Sequence, residues 1–118
     1  MLDKVKTADV YLAVGATDLR KSIDGLSIIV QEKFKLDPFS NSLFVFCNRK
    51  KDKIKILRWD ISGFWLYYKR LEKDKFQWPN DTGGSHIEID ERSFRWLLDG
   101  LSIRESHAHK EVTERQII

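Results

Sequence analysis

Residues Ser42–Pro79 read SLFVFCNRKKDKIKILRWDISGFWLYYKRLEKDKFQWP. Apolar runs and alternating patterns, separated by turn-forming residues, predict four short strands within this stretch. The predicted strands are Leu43–Cys47, Lys53–Trp59, Phe64–Leu71 and Lys75–Trp78. The first is continuously apolar, which favours a central strand, and the short turns between them are typical of an antiparallel meander. The stretch therefore predicts an antiparallel sheet.

A strand and a helix are predicted before this meander. Val10–Val14 is a short run of β-forming residues that ends at a Gly-Ala-Thr-Asp sequence. Apolar residues then recur every three or four positions, which predicts a helix over Asp18–Phe34 that Thr17 or Asp18 caps. Gly25 inside this helix suggests close packing against another backbone. The apolar stripe consists of Leu19, Ile23, Leu26, Val30 and Phe34.

The polar loop Asn80–Ser85 separates the meander from a second, short helix, in which Asp90 is the predicted N-cap and Gly100 the end. The predicted fold is α+β: an antiparallel four- to five-stranded sheet packed by one long helix, with a short C-terminal helix. Residues 1–102 form the single predicted domain. Residues 103–118 form a C-terminal tail whose end is either disordered or a short helix.

The composition is that of one globular domain. The chain has 118 residues, of which 42% are hydrophobic and 33% are charged. No apolar run approaches the roughly 18 residues of a membrane span, and the N-terminal sequence lacks the pattern of a signal peptide. The single cysteine, Cys47, excludes an internal disulfide and is expected to be a buried or half-buried thiol. We therefore expect a cytoplasmic protein without a membrane partner or a cofactor.

Positive charge is concentrated in Ser42–Pro79, which holds ten Lys and Arg residues against four acids, a net +6 in a chain of +3. Aromatic residues, among them Trp65 and Tyr68, lie between these charges. Cations neutralise phosphates and flat rings stack on bases, so this pattern indicates a nucleic-acid surface. The same pattern is also typical of a small sheet with aromatics in its core and Lys-rich hairpin tips that protect its edges.

The hairpin Asn48–Arg58 is the strongest candidate site, because it holds six cations and one acid. These cations can contact the phosphates of a nucleic acid without recognising its base sequence. A second candidate is the loop Gly15–Ser22, whose backbone N–H groups and two cations can bind a phosphate. Its alternative is an ion pair between Arg20 and Asp24. The predicted nucleic-acid-binding residues are Arg20, Lys21, Arg49, Lys50, Lys51, Lys53, Lys55, Arg58, Lys69 and Arg70.

Few residues suggest catalysis or metal binding. A metal-dependent nuclease needs two or three carboxylates around Mg²⁺, and the available ones are Asp18, Asp24, Asp60 and Asp99. Each also suits a cap, a turn or a surface charge, and none forms a closely spaced pair on one strand. His107 and His109 lack an evident third ligand. We therefore predict no catalytic residue, no metal site and no enzymatic activity.

Three motifs together resemble a known family. They are Tyr11–Leu26 (YLAVGATDLRKSIDGL), the run from Phe44 to Pro79 with its Trp59, Gly63-Phe64 and Tyr68–Glu72 positions, and Phe94–Leu101 (FRWLLDGL). In this order, over about residues 8–102, they resemble the TnpB accessory protein of the insertion sequence 66 family, the product of that element's second open reading frame.

The resemblance implies a role in transposition beside a separate, larger transposase that carries the DDE chemistry. It supplies no catalytic residue. The expected function is a non-catalytic accessory protein that binds DNA through the basic hairpin, with DNA contact inferred from charge. The alternative is an adaptor that docks the transposase of the same element, and a third, weaker option is a metal-dependent nuclease. The residues expected to contact a protein partner are Arg92, Arg95, Trp96 and Asp99. The sequence does not predict an oligomeric state.

Overall fold

A computed structural model of the chain describes residues 9–79 and 83–100. The strands are β1 (Val10–Ala13), β2 (Leu43–Cys47), β3 (Lys53–Trp59), β4 (Phe64–Arg70) and β5 (His86–Ile89). The helices are α1 (Ile23–Ile29), which continues as a π-helical turn over Val30–Phe34, and α2 (Glu91–Leu98). The five strands form one sheet in the order β4-β3-β2-β1-β5. The predicted α+β class is confirmed.

The sheet is mixed, whereas an antiparallel sheet was predicted. β1 pairs in parallel with β2, with Tyr11 opposite Phe44, and pairs antiparallel with β5, with Leu12 opposite Ile87. A parallel pair needs a long crossover connection, and α1 lies in that connection. The remaining strands, β2, β3 and β4, form the predicted antiparallel meander. All five residues of β2 are buried at the centre of the sheet, as its apolar run predicted.

Both faces of the sheet are covered. On one face, the α1 side chain of Leu26 packs with Phe44 and Phe46, which confirms the predicted contact between the helical stripe and β2. On the other face, Phe94 and Leu97 of α2 pack on the sheet. Alternate residues of β2 and β3 therefore belong to two separate apolar cores.

The first helix is shorter than predicted and begins at Ile23, after Ser22. Asp18 does not cap it, because its carboxylate instead accepts hydrogen bonds from the backbone and the guanidinium of Arg20. An Asp side chain that bonds the chain two residues ahead favours a turn over a helix. At Gly25, the three atoms nearest to an added Cβ belong to the Lys21 side chain, the closest at 3.1 Å, rather than to another backbone as predicted.

The structure differs from the predicted secondary structure at two further places, residues 75–78 and β5. Residues 75–78 were predicted as a strand, but they form irregular chain that buries Phe76 and Trp78 against the sheet. The strand β5 was not predicted. α2 agrees with its prediction, since the backbone N–H of Ser93 donates to Asp90 at 2.7 Å and Gly100 follows with a φ of 83°.

The predicted tail, residues 103–118, lies outside the described residues. Across residues 9–79 and 83–100, no helix combines the length and apolar character that a membrane crossing requires.

Candidate nucleic-acid interface

An open groove lies at the edge of the sheet where β1 and β2 end and β3 begins. Because β1 and β2 are parallel, their carboxyl ends meet at this edge, and the loops that follow them are neighbours. The backbone N–H of Thr17 donates to the carbonyl of Cys47 at 2.7 Å and fixes the first loop against the second. The groove has a volume of about 850 Å³, and we call it the basic groove. Its polar lining includes Asp18, Arg20, Asn48, Arg49, Lys50, Lys53, Lys55 and Tyr68.

Among the described residues, five cations and one carboxylate line the basic groove, a net charge of +4. The carboxylate of Asp18 is ion-paired with Arg20, with 2.8 Å between Oδ2 and Nη2. Hydrogen bonds from Arg20 hold the pKa of the Asp18 carboxyl well below its usual range, so this pair stays charged. The other four cations have no carboxylate within salt-bridge distance among the described residues. These four are Arg49, Lys50, Lys53 and Lys55.

Asn48 shapes the turn that carries Arg49 and Lys50. Its Oδ1 accepts hydrogen bonds from the backbone N–H groups of Asp52 and Lys53, at 3.1 and 3.0 Å. Its Nδ2 donates to the Asp52 carboxylate at 2.7 Å, and this bond lowers the pKa of Asp52. One amide side chain thus closes the turn and leaves the two cations exposed.

The tip of this turn is held against the chain that follows β4. The carbonyl of Lys51 accepts from the backbone N–H of Phe76 at 2.7 Å, and the carbonyl of Lys50 accepts from Nζ of Lys75 at 3.0 Å. A further backbone bond, 2.8 Å long, joins Leu71 to the turn. The hairpin therefore rests on residues 71–76 and does not project from the molecule.

Five of the ten predicted nucleic-acid-binding residues line the basic groove, and five do not. The five in the groove are Arg20, Arg49, Lys50, Lys53 and Lys55; the five outside its lining are Lys21, Lys51, Arg58, Lys69 and Arg70. Lys69 points to the opposite face of the sheet, where its Nζ donates to the carbonyl of Leu98. Arg70 is ion-paired with Glu72 at 2.8 Å. DNA contact by any of these residues stays a prediction.

Tyr68 lines the basic groove but was not among the predicted nucleic-acid-binding residues, although it was noted as one of the aromatics between the positive charges. It lies directly opposite Lys55 in the pairing of β3 with β4, on the same face of the sheet, and its side chain is 55% exposed. The signal for it was present, since the turn between the two strands sets the register and therefore the cross-strand neighbour of Lys55.

The comparison with known proteins identifies the family. The chain matches the family model described as IS66 Orf2-like protein over residues 8–108. The chain belongs to this family. This result confirms the resemblance drawn from the three sequence motifs, and it supports a role as an accessory protein of an insertion sequence.

Two relatives come from Sinorhizobium fredii (strain NBRC 101917 / NGR234). The protein named "Uncharacterized protein y4hO" is 36% identical over 104 residues, which cover 88% of this chain and 90% of that protein. The protein named "Uncharacterized protein y4jC" is 30% identical over 92 residues, which cover 78% of each. No solved structure matches this chain.

A second, smaller recess of this IS66 Orf2-like protein lies on α2. Its volume is about 370 Å³, and its lining is Glu91, Arg92, Arg95 and Trp96. Arg95 is ion-paired with Glu91 across one helical turn at 2.7 Å. Three of the four predicted partner-binding residues therefore meet here, whereas Asp99 lies at the helix end and outside the lining. We call this site the α2 recess.

The four carboxylates considered for a nuclease site are dispersed. Asp18 is paired in the basic groove, Asp24 lies in the first turn of α1, and Asp99 ends α2. Asp60 is engaged in the turn before β4, where it accepts hydrogen bonds from Ser62, Gly63 and Trp65. Among the described residues, no three His, Cys, Asp or Glu side chains form a group that could hold a metal ion. His107 and His109 lie outside the described ranges.

Cys47 is buried at the end of β2, as predicted. Burial raises the pKa of its thiol to about 12.

Proposed function

We propose that this IS66 Orf2-like protein is a non-catalytic accessory factor of transposition that binds DNA through the basic groove. The observation that carries the proposal is the convergence of cations from separate parts of the chain. Arg20 comes from the loop after β1, Arg49 and Lys50 come from the turn after β2, and Lys53 and Lys55 come from β3. With the carboxylate of Asp18 included, the net charge of the described groove lining is +4, which exceeds the +3 of the whole chain.

Such an arrangement suits phosphate groups. Each phosphate that a cation neutralises releases condensed counterions, so binding weakens as salt rises. Four groove cations have no carboxylate partner among the described residues, although Nζ of Lys55 donates to the carbonyl of Lys21 at 3.2 Å. With four such cations, the slope of log affinity against log salt is expected to be about −3 to −4. Because phosphate contacts position a protein without reading bases, we expect only a small preference for one DNA sequence over another.

The test compares two double variants that remove the same charge. Lys53→Gln with Lys55→Gln removes two groove cations, whereas Lys33→Gln with Arg92→Gln removes two exposed cations outside the groove. Fluorescence anisotropy against labelled DNA at two salt concentrations gives affinity and slope. The groove variant is expected to bind weakly, with a slope smaller by about two. Equal binding by the two variants would contradict the proposal.

A second candidate function is docking of the transposase of the same element. The α2 recess supports it, because an aromatic side chain and two arginines meet there, and these residue types are enriched at protein interfaces. Titration calorimetry of the protein with its transposase, repeated with Trp96→Ala and Arg92→Glu, tests the idea. Loss of heat in both variants, with DNA binding retained, would assign docking to the α2 recess.

A further inference from the structure

We infer that the basic groove receives an unpaired DNA strand, with a base stacked on Tyr68 and phosphates held by the groove cations. This inference rests on the proposed function and names the form of DNA that the groove accepts. Three features of the groove carry it: the exposed ring of Tyr68, the recessed shape, and the spacing of the cations along β3.

Among the described residues, the ring of Tyr68 packs on no other aromatic ring, whereas those of Trp65 and Tyr67 stack on each other. On the same strand, Trp65 stacks on Tyr67 and donates a hydrogen bond to Asp60 at 2.6 Å. Tyr68 makes no ring contact with another aromatic residue in the described part of the chain, and more than half of its side chain is exposed. A flat ring beside cations is what proteins use to stack a base of a single strand. In an intact duplex, the neighbouring base pairs already cover the faces of the bases.

The shape of the site also favours a single strand. Proteins that read base edges in the major groove of a duplex, which is about 12 Å wide, insert a projecting helix or β-ribbon into it. The hairpin tip here does not project, because Phe76 and Lys75 bind its backbone. The cations instead line a recess of about 850 Å³. The groove is open to solvent, and its volume leaves room for nucleotides of one strand.

The cations have a spacing that fits one strand. Lys53 and Lys55 are two residues apart on one face of β3, so their Cα atoms are about 7 Å apart. This distance is close to that between consecutive phosphates of an extended strand. Tyr68 lies directly opposite Lys55 in the register. A base next to the phosphate held by Lys55 can therefore reach the ring.

The experiment measures the affinity of the full-length protein for four labelled ligands of the same length at one low salt concentration: a short oligothymidine, an oligouridine, a duplex and an abasic strand. The wild-type protein is expected to bind oligothymidine tightest. Tyr68→Ala should weaken oligothymidine binding by about five-fold to a hundred-fold and leave abasic binding unchanged, because only bases can stack. Tyr68→Phe should restore the affinity.

The matched control is Phe39→Ala, which removes an aromatic side chain of nearly equal exposure, 56%, from beside Trp59 at the far end of β3. It should leave all four affinities unchanged. Duplex binding that is as tight as oligothymidine binding would overturn the inference and leave the proposed function intact. An equal loss of affinity for oligothymidine and for the abasic strand in Tyr68→Ala would also overturn it. Tighter binding of oligouridine would assign the groove to RNA and overturn it. No binding to any ligand would contradict both the inference and the proposed function.

Discussion

Cys47 lies one residue before the turn that carries the cations Arg49 and Lys50. Its side chain is buried, and the loss of hydration raises the pKa of the thiol to about 12. The thiolate is the reactive form of cysteine, so this residue is chemically inert while the sheet is intact. A thiol label therefore reports on opening of the central strand.

We predict that iodoacetamide at pH 8 modifies Cys47 only after denaturant unfolds the protein, as mass spectrometry of quenched samples would show.

The stability of the protein should also depend on pH in the alkaline range. The unfolded thiol loses its proton near its usual pKa of 9.0, whereas the native thiol keeps it up to about 12. The free energy of unfolding should therefore fall as pH rises between these values, and Cys47→Ala should lack this part of the fall. Rapid labelling of the native protein by iodoacetamide would contradict the labelling prediction.

Within the part of the chain that the structure describes, Asp18 is the single acidic residue of the groove lining, and its charge offsets that of Arg20. We predict that Asp18→Asn binds DNA more tightly than the wild type, because the net charge of the groove rises by one. Anisotropy titrations should show a salt slope that is steeper by up to about one. Weaker binding would mean instead that the carboxylate acts by holding Arg20 in position.

The helix α1 provides a test of packing at the level of one element. Leu26 is fully buried against β2, whereas Ile28, two residues later, is 55% exposed. We predict that Leu26→Ala lowers the free energy of unfolding by about 2–5 kcal/mol, since it leaves a cavity. Ile28→Ala is the matched control and should change it by less than about 1 kcal/mol. Urea denaturation followed by tryptophan fluorescence measures both, and a small effect at Leu26 would place the helix elsewhere.

The elements that the sequence predicted well are those whose pattern is local. β2, β3 and β4 are joined by short turns, and alternation of Ile54 and Ile56 with Lys55 is visible in a few residues. Lys75–Trp78 has the same alternation, but the backbone N–H of Phe76 bonds the turn at Lys51 and joins no strand. Alternation shows which side chains are buried, and it does not show where the backbone hydrogen bonds go.

Local sequence patterns could not predict the parallel pairing of β1 with β2 or the strand β5. β5 has only four residues, and it is stabilised as a strand by pairing with β1, far away in the sequence. The same limit applies to the basic groove. Charge alone identified Arg20 and Lys53 as candidates, but their meeting depends on the parallel alignment of β1 and β2.

For the molecule as a whole, the two candidate sites lie on different faces of the sheet. Lys55 and Tyr68 share the face that α1 covers, whereas α2 packs on the face formed by Ile54 and Ile56. A DNA strand in the basic groove and a protein at the α2 recess would therefore not compete for the same surface. Variants at the two sites should act independently of each other.

We also predict that the purified protein does not nick DNA. The described carboxylates are dispersed, and Asp60 already accepts three or more hydrogen bonds within its own turn. Incubation with supercoiled plasmid and Mg²⁺ or Mn²⁺, followed by gel electrophoresis, measures nicking directly. Activity that disappears in Asp60→Asn or Asp99→Asn would overturn the prediction.

The position of β1 between β2 and β5 has a consequence for synthesis. The ribosome releases β1 before the other strands, yet β5 and α2 emerge only near residues 86–98. Until then, one edge of β1 is unpaired, and the sheet face around Leu12 lacks Phe94 and Leu97. Open strand edges pair readily with other chains. Synonymous codons that slow translation between β4 and β5 would therefore be expected to lower the yield of folded protein, although the amino-acid sequence is unchanged.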